Sequence, residues 1–421
     1  MRSNLYAFVA VPLSVSAPYL GGRLRKVLGS FGLLVATFVF TTSAQAVTID
    51  MVTVGNLGNA PDTRYNGISV GSVANAYQIG KYEVTAGQYT EFLNAVAKDD
   101  PNGLYNPYMG MGEPGDLFGA NIQRTNSSHN HSYSVAADWA DRPVNWVSFW
   151  DAARFANWLH NGQPTGAQGP GTTEDGAYHD VGNQTLFGRS AGAKFFIPTE
   201  DEWLKAAYHD KTAGLAATYF DYPTGTNAVP GYDITESTNS GNNANYSIGT
   251  YAIGYPYYRT VVGEFELSDS PYGTFDQGGN VWEWNETVLF GSSRGLRGGS
   301  FYDLSLHLLA SSRVVKDPPS ELRDVGFRVA SIPAPALQGD FNGDGAVDAA
   351  DYVVWRKNDG TQQGYNTWRG HFGQTANSGA AATPNAVPEP SSLALLTLVV
   401  PALLRRRRYC PRPAAQLLIG T

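Results

Sequence analysis

The sequence has little cysteine, little histidine and no long apolar run. Its single cysteine is Cys410, and only seven histidines are spread over 421 residues. A body without cysteine has no intrachain disulfide, so packing and bound ions must stabilise it. The apolar stretches 27–40 and 393–404 are both shorter than the about 20 residues that span a bilayer as a helix.

Positive charge is also scarce in the body of the chain. Nine of the 29 lysines and arginines lie before residue 47 or after residue 404, where there are no acidic residues. This leaves 20 basic against 37 acidic residues, a net charge of −17. Such a balance argues against nucleic acid as a partner, because phosphate contacts need a basic face. It suits bound calcium and extracellular solubility.

The N-terminal segment 1–46 has the pattern of an export signal. Arg23, Arg25 and Lys26 precede the apolar stretch 27–40, and Ala44-Gln45-Ala46 provides small residues for cleavage. A buried core helix is the alternative. We expect the mature chain to begin near Val47.

The C-terminal segment 387–421 carries a second tripartite pattern. Val387-Pro-Glu-Pro390 is followed by the apolar segment 393–404 and by four arginines, 405–408. The arrangement resembles the PEP-CTERM sorting signal, although residues 409–421 extend beyond its usual end. The resemblance implies surface sorting by machinery at the inner membrane, with possible cleavage of the tail; a weak membrane anchor is the alternative.

Three capping boxes predict three short helices in the body. They begin at Thr85-Ala-Gly-Gln88, Ser148-Phe-Trp-Asp151 and Thr199-Glu-Asp-Glu202. The remaining body is rich in Gly, Asn, Pro and Tyr, which predicts loops and short strands. We assign 47–332 to one body, 333–338 to a linker, 339–374 to a small module and 375–386 to a flexible linker.

Six motifs occur in a fixed order along the body. They are Glu83-Val-Thr-Ala-Gly-Gln-Tyr89, Arg142-Pro-Val-Asn-Trp-Val-Ser148, Ile197-Pro-Thr-Glu-Asp-Glu-Trp203, Gly278-Gly-Asn-Val-Trp-Glu-Trp284, Arg297-Gly-Gly-Ser-Phe301 and Gly326-Phe-Arg-Val-Ala330. In this order they resemble the formylglycine-generating enzyme, or sulfatase-modifying factor, family. The resemblance implies an α+β, C-type-lectin-like fold with much irregular structure.

The chemistry of that family does not transfer with the motifs. Its oxidases hold copper(I) with a cysteine pair placed after the Arg-Gly-Gly-Ser motif, because soft thiolates select that ion. Here that stretch has no thiol, and its nearest polar candidates are Asp303 and His307, with Arg313 following. Copper and iron are therefore not supported, and these three residues become candidate ligand-binding residues.

A metal-dependent oxidoreductase of the same family remains the rival. It would use His129, His131 or His307 with carboxylates, since non-haem iron sites combine two histidines with a carboxylate.

The resemblance also implies a calcium site around Gly278-Gly-Asn-Val-Trp-Glu-Trp284. Its ligands would be the side chains of Asp276 and Glu283 and the carbonyls of Gly279 and Val281. Hard oxygen ligands suit calcium. In the alternative, the two carboxylates only cap turns. A second family site would use Asn245 and the Tyr246 carbonyl, but its later part has no clear match.

The segment 340–351 has the spacing of an EF-hand calcium loop. The ligand positions 1, 3, 5, 9 and 12 are occupied by Asp340, Asn342, Asp344, Asp348 and Asp351. Gly345 stands at the sharp turn, and Ala346 offers its carbonyl. The segment resembles a dockerin type I repeat, which implies a possible cohesin-like partner; a calcium-stiffened stalk is the alternative.

Our leading hypothesis is an exported, surface-associated, calcium-binding protein without oxidase chemistry. Such a binding or accessory protein would present the loops 301–324 to an unknown peptide, protein or glycan ligand. The metal-dependent oxidoreductase and a dockerin-like scaffold component are the alternatives.

Overall fold

The computed structural model describes residues 46–65, 67–111, 116–125, 129–235, 241–333, 337–342 and 346–375. All of these residues belong to the compact unit Ala46–Thr421. Residues 1–45, Asp344, most of the predicted flexible linker and the predicted sorting signal lie outside the described residues. The assignments to an export signal and a sorting signal therefore remain predictions.

The described residues form six α-helices and twelve short strands. The helices are α1 Ala86–Val96, α2 Ala137–Ala140, α3 Phe149–His160, α4 Glu200–Tyr208, α5 Ala349–Asn358 and α6 Gln362–His371. The strands are β1 Met51–Val54, β2 Tyr77–Gly80, β3 Gln123–Arg124, β4 Tyr133–Ser134, β5 Tyr178–His179, β6 Gly188–Arg189, β7 Phe195–Phe196, β8 Trp282–Leu289, β9 Ser293–Arg297, β10 Val314–Lys316, β11 Val325–Gly326 and β12 Ala330–Ser331. The expected mixture of helices and sheets is confirmed, whereas the finer C-type-lectin-like description stays a prediction.

The three helices predicted from capping boxes begin where the sequence places them. The side chains of Thr85, Ser148 and Thr199 each accept a hydrogen bond from the backbone N–H three residues later. In each box the side chain of the residue at that third position accepts a hydrogen bond from the backbone N–H of the capping residue. Local side-chain chemistry therefore fixes these helix starts, because it satisfies donors that the helix itself leaves free.

Two four-stranded sheets organise the body. One has the order β1-β2-β12-β7 and the other the order β10-β9-β8-β11. Strand β8 pairs antiparallel with β9 and parallel with β11. The Trp-Glu-Trp motif therefore lies on a central strand, and the Arg-Gly-Gly-Ser and Gly-Phe-Arg motifs are brought to its two sides.

Aromatic side chains from α1, α3 and the chain after β11 fill the main core. Phe92 and Phe155 lie 5.3 Å apart, centroid to centroid, and Phe155 contacts Phe327 at 5.4 Å. Both contacts are edge-to-face, the geometry that aromatic rings favour. The core thus joins the beginning and the end of the body.

The two C-terminal helices α5 and α6 pack against each other through aromatic residues. Trp355 contacts Tyr365 at 5.4 Å, and Tyr352 contacts Trp368 at 5.0 Å. The segment 339–374 thus contains two packed helices, and its identity as a calcium module stays a prediction. Among the described residues, no helix has the length and apolar character needed to cross a membrane.

Candidate functional site

The Glu283 carboxylate is held by an arginine at the centre of the fold. The Arg328 guanidinium donates to both of its oxygens, at 2.6 and 2.7 Å, and the Trp203 indole donates to Oε2 at 2.7 Å. Arg328 also donates to the carbonyls of Gly80 and Phe275. Both charged side chains are fully buried. A fork-to-fork pair of this kind fixes geometry as well as neutralising charge.

Two further carboxylates face this pair. Glu83 is 2 % exposed, and neither of its carboxylate oxygens has a hydrogen-bond partner. Burial, followed by the charges of Asp276 and Glu283, raises the pKa of Glu83 well above its usual value. Burial likewise raises the pKa of Asp276 to about 6. Three carboxyl groups therefore share one arginine, an excess of negative charge that favours either a proton or a cation.

The close approach of two chain segments explains the glycine before the Trp-Glu-Trp motif. Gly279 has a φ of +92°, and a Cβ there would lie 2.1 Å from the Asn245 carbonyl oxygen. The Asn280 N–H donates to that same oxygen at 2.9 Å. Only glycine fits at Gly279, because both the φ angle and the contact exclude a side chain.

The predicted family calcium site is only partly consistent with these contacts. Asp276 lines a cavity of about 10 Å³, roughly the room for one water-sized sphere. Its carboxylate accepts from the Gly263 N–H at 2.6 Å, and the orphaned oxygens of Glu83 are hard ligands of the kind that calcium takes. Glu283, in contrast, already has three nitrogen–hydrogen donors. Asp276 is the predicted side-chain ligand that lines this cavity, and the assignment of Asp276, Gly279, Val281 and Glu283 as ligands stays a prediction. Within the described ranges, no three His, Cys, Asp or Glu side chains converge as a metal cluster.

The loop after Arg297-Gly-Gly-Ser300 positions Asp303 against the Trp-Glu-Trp strand. Asp303 Oδ2 accepts from the Trp282 indole at 2.7 Å and from the Ser300 hydroxyl at 2.5 Å. The His307 ring lies edge-on to Trp282 at 5.7 Å. Asp324 is close enough that the Asp303 charge, after burial, raises its pKa. The structure thus brings Asp303 and His307 to one indole, as their shared loop suggests.

Arg313 lies apart from that centre, in an ion pair. It donates to both oxygens of Glu200, at 2.6 and 2.5 Å, and Arg297 donates to Glu200 Oε1 at 2.8 Å. Arg297 also reaches the carbonyls of Ala310 and Ser312. These bonds tie the two arginines to the loop after β9, whereas a ligand-binding role for Arg313 stays a prediction.

Five aromatic rings meet beside Asp303, and we call them the aromatic face. They are Phe118, Tyr251, Tyr258, Phe301 and Tyr302. The Phe118 centroid lies 4.6 Å from Tyr258 and 6.2 Å from Tyr302. Tyr302 is 53 % exposed, and Leu304 and Leu306, two and four residues further on, are both 51 % exposed. Phe301 is fully buried, so Tyr302, Leu304 and Leu306 are the large apolar side chains of this loop that are exposed to solvent.

Two arginines and one asparagine contact the aromatic face. Arg259 is fully buried and donates to the carbonyls of Phe118 and Gly119, at 2.6 and 2.9 Å. Burial lowers the pKa of Arg259 to about 9, so it still carries its charge at neutral pH. Asn145 donates to the carbonyls of Phe118 and Arg323. The Arg323 guanidinium lies over the Phe118 ring at 5.3 Å.

The sequence did not indicate this supporting layer as a functional site. Asn145 lies within a quoted motif, but Phe118, Tyr251 and Arg259 lie in stretches without a recognisable pattern. Only their tertiary contacts unite them with Tyr302.

The histidines of the rival hypothesis are placed separately. The His129 side chain is 80 % exposed and contacts Asp99 at 3.1 Å, and His131 contacts the Thr125 carbonyl at 3.0 Å. Both belong to the loop between β3 and β4, whereas His307 lies against Trp282. Among the described contacts, these histidines do not share a carboxylate.

The EF-hand-type loop has its last ligand position buried. Asp351 is fully buried, and its Oδ1 accepts from the N–H groups of Phe341 and Asn342, at 2.8 and 3.0 Å. Its Oδ2 accepts from the Asp348 N–H at 2.8 Å. The Ala346 backbone bridges to Thr375. Asp351 thus closes the loop onto α5, while the ligand roles of Asp340, Asn342, Asp344, Ala346, Asp348 and Asp351 stay predictions.

A family model described as the sulfatase-modifying factor enzyme 1-like domain matches residues 46–332. The chain belongs to this family. The resemblance drawn from the six motifs is therefore confirmed for the body of the chain. No curated protein matches the chain significantly.

Several solved structures are similar at low identity. CarF is 22 % identical to this chain, with a TM-score of 0.42, and the match covers 68 % of this chain and 98 % of the CarF chain. Treponema denticola variable protein 1 is 20 % identical, with a TM-score of 0.41, covering 69 % of this chain and 98 % of its own. PvdO from Pseudomonas aeruginosa is 16 % identical, with a TM-score of 0.36, covering 67 % of this chain and 94 % of its own.

Proposed function

We propose that this member of the sulfatase-modifying factor family is a binding or accessory protein that acts through the aromatic face. The observation that carries the proposal is the exposed side chain of Tyr302, which lies between the Arg-Gly-Gly-Ser motif and Asp303 and has no thiol near it in sequence. Copper(I) chemistry of the family's oxidases needs soft thiolates. An exposed ring on a rigid support instead suits molecular recognition, where Tyr and Arg dominate binding energy.

The polar groups around the aromatic face would orient a bound ligand. Asp303 is fixed by Trp282 and Ser300, so one carboxylate edge is held in place at the border of the rings. The Arg323 guanidinium lies over the Phe118 ring at 5.3 Å. Aromatic rings that are accompanied by a carboxylate and a guanidinium fit a peptide, protein or glycan ligand better than a small apolar molecule.

In this proposal the protein is exported and acts at the cell surface, as the sequence predicts. Calcium would be held by the EF-hand-type loop and near Asp276, and a cohesin-like partner would be a further possibility for the helices α5 and α6. The acidic body and the lack of disulfides support stabilisation by calcium.

Arrays of immobilised peptides and glycans, probed with the purified protein, test the binding function. Tyr302→Ala is expected to weaken any specific signal at least tenfold, the loss typical of a central aromatic contact. Phe290→Ala is the matched control, because Phe290 is 82 % exposed at the β8–β9 turn and lies outside the aromatic face. An equal loss in both variants would contradict the proposal, as would conversion of the cysteine in a CxPxR peptide to formylglycine.

The rival oxidoreductase is distinguished by metal analysis. Stoichiometric iron or copper that is lost in His307→Ala would favour the rival, whereas calcium alone favours the binding function. His129→Ala is the matched control, since the exposed His129 lies on another loop.

A further inference from the structure

One side chain holds both backbone groups of Val47. The Val47 N–H donates to Gln163 Oε1 at 2.6 Å, and the Gln163 amide nitrogen donates to the Val47 carbonyl at 2.7 Å. The Val47 side chain is half-buried and packs against the main core, whereas Ala46 is exposed. Within the part of the chain that the structure describes, hydrogen bonds therefore begin at Val47.

The loop that carries Gln163 is fixed by bonds to two helices. Gln163 has a φ of +60°, a left-handed conformation that a residue other than glycine keeps only when its surroundings impose it. Its N–H donates to the Trp158 carbonyl at 2.9 Å, and the Trp158 indole donates to the Pro164 carbonyl at 3.0 Å. The Gly166 N–H donates to the Ala95 carbonyl at 3.0 Å. These bonds direct the Gln163 amide towards Val47.

The residues that follow Val47 are also docked onto the body. The Thr48 carbonyl accepts from the Gln88 amide nitrogen at 2.9 Å, and the Ile49 side chain packs against the main core. Strand β1 begins at Met51 and pairs with β2. The chain is therefore held continuously from Val47 into the first sheet.

This first held residue coincides with the predicted export cleavage site. The small residues Ala44-Gln45-Ala46 end immediately before Val47. Hydrolysis of the Ala46–Val47 peptide bond would add one water, leaving a carboxylate on Ala46 and an α-ammonium group on Val47. Gln163 Oε1, which accepts from the Val47 nitrogen at 2.6 Å, would then accept from a charged donor, and such hydrogen bonds are about twice as strong as neutral ones.

We propose that the Ala46–Val47 peptide bond is the site at which an export protease processes this chain, and that Gln163 is the binding site for the new amino terminus. The proposal goes beyond the function of the aromatic face and does not depend on it. It rests on the predicted export signal and on the two bonds between Gln163 and Val47.

The position of the clamp favours this peptide bond over its neighbours. Hydrolysis one bond later would remove Val47 together with both bonds to Gln163. Hydrolysis one bond earlier would place the charged nitrogen on the exposed Ala46, up to about 3.8 Å further along the chain from Gln163. Only the Ala46–Val47 bond therefore delivers the charge to the Gln163 carbonyl oxygen.

The first test is export of the full chain from a Gram-negative host. Amino-terminal sequencing and the mass of the exported protein are expected to give Val47 as the first residue. Any other first residue would overturn the proposed processing site.

The second test is the reactivity of the Val47 α-amine in the exported protein. Acylation by acetic anhydride at pH 7, followed by mass spectrometry of peptides, measures its rate. Gln163→Ala is expected to raise this rate about tenfold, because the amine loses a charge-assisted hydrogen bond. Gln123→Ala is the matched control, since the Gln123 amide bonds to Asn121 on another, exposed loop. The exposed Lys98 amine should react at the same rate in all variants.

A third variant distinguishes binding of a charged terminus from an ordinary structural bond. In Gln163→Glu the carboxylate accepts from an ammonium group but does not donate to the Val47 carbonyl. In the processed protein we expect Gln163→Glu to melt close to the wild-type temperature at pH 7. In the unprocessed full chain, produced without export, Val47 has a neutral N–H. There Gln163→Glu should melt roughly 2–4 °C below the wild-type protein, as Gln163→Ala should in both forms.

Two results would overturn the role of Gln163. One is an equal acylation rate of the Val47 amine in the wild-type protein and in Gln163→Ala. The other is an equal loss of melting temperature by Gln163→Glu in the processed and unprocessed forms, which would reduce the clamp to a structural bond. Neither result affects the array test of the aromatic face, because no ligand is used.

Discussion

The ion pair between Arg328 and Glu283 should be the most costly single contact to break in the body of the chain. In Arg328→Met, the buried Glu283 keeps only the Trp203 donor, and the carbonyls of Gly80 and Phe275 each lose a donor. Breaking a fully buried pair from one side typically costs about 3–5 kcal/mol, because it leaves an uncompensated charge. We expect a loss in this range at pH 7, with the Asp276 charge adding to the repulsion.

Glu283→Gln should cost a similar amount, since it leaves the Arg328 charge buried. In the double variant Arg328→Met/Glu283→Gln neither charge is stranded, so the loss should be smaller than the sum of the single losses by about 1–3 kcal/mol. Asp99→Asn is the control, because it removes an exposed contact to His129 and should change stability by under about 1 kcal/mol.

Urea unfolding in the presence of a chelator measures these differences, provided that the m value is unchanged among the variants. A loss below about 1 kcal/mol in Arg328→Met, or strictly additive losses, would refute the reasoning. The same series with calcium also tests the ligand prediction for Glu283. If Glu283 ligates calcium, Glu283→Gln loses the stabilisation by calcium, whereas Asp99→Asn keeps it.

Three other changes give defined outcomes. Lys205 is fully buried and donates to one acceptor, the Asn56 carbonyl, and burial lowers its pKa to about 8. Lys205→Met should therefore stabilise the protein by roughly 2 kcal/mol at pH 6, as measured by urea unfolding. This gain should shrink as the pH rises from about 8 to about 10.5, because the lysine then loses its charge in the unfolded chain as well. A gain that does not change with pH would contradict this cause. Gly279→Ala should lower the melting temperature strongly or prevent folding, because its Cβ would overlap the Asn245 carbonyl, whereas Gly291→Ala, at an open turn, should cost only about 1 kcal/mol. Calcium at 100 times its dissociation constant should stabilise the chelated protein by about 2.7 kcal/mol in thermal unfolding, and Asp348→Ala should reduce that gain; an unchanged gain would place the ion elsewhere.

Local sequence chemistry predicted those parts of the fold whose determinants are close together in the chain. The capping boxes at Thr85, Ser148 and Thr199 place three helices because an N-cap and its third helical residue satisfy each other's donors. The motif arginines Arg297 and Arg328 form buried ion pairs with Glu200 and Glu283. The order of six motifs was sufficient to indicate the family.

The sequence was less informative wherever function depends on which partner a charged group meets. Glu283 was interpreted as a calcium ligand, yet its oxygens meet Arg328, while the neighbouring Glu83 has no hydrogen-bond partner. Residue type alone cannot distinguish a paired carboxylate from an orphaned one, because the difference lies in contacts across more than 40 residues of chain. The only available signal for Glu83 was its place at the start of a motif.

The sequence by itself determined the family, the helix starts and the lack of a thiol in the stretch between Arg297-Gly-Gly-Ser300 and Arg313. The tertiary structure alone decided the composition of the aromatic face and the pairing of Glu283 with Arg328. Phe118, Tyr251 and Tyr302 come from three separate loops, and the two charged residues of the pair are 45 positions apart in the chain. Contacts of that kind arise from packing of the whole core, which no local pattern of residues encodes.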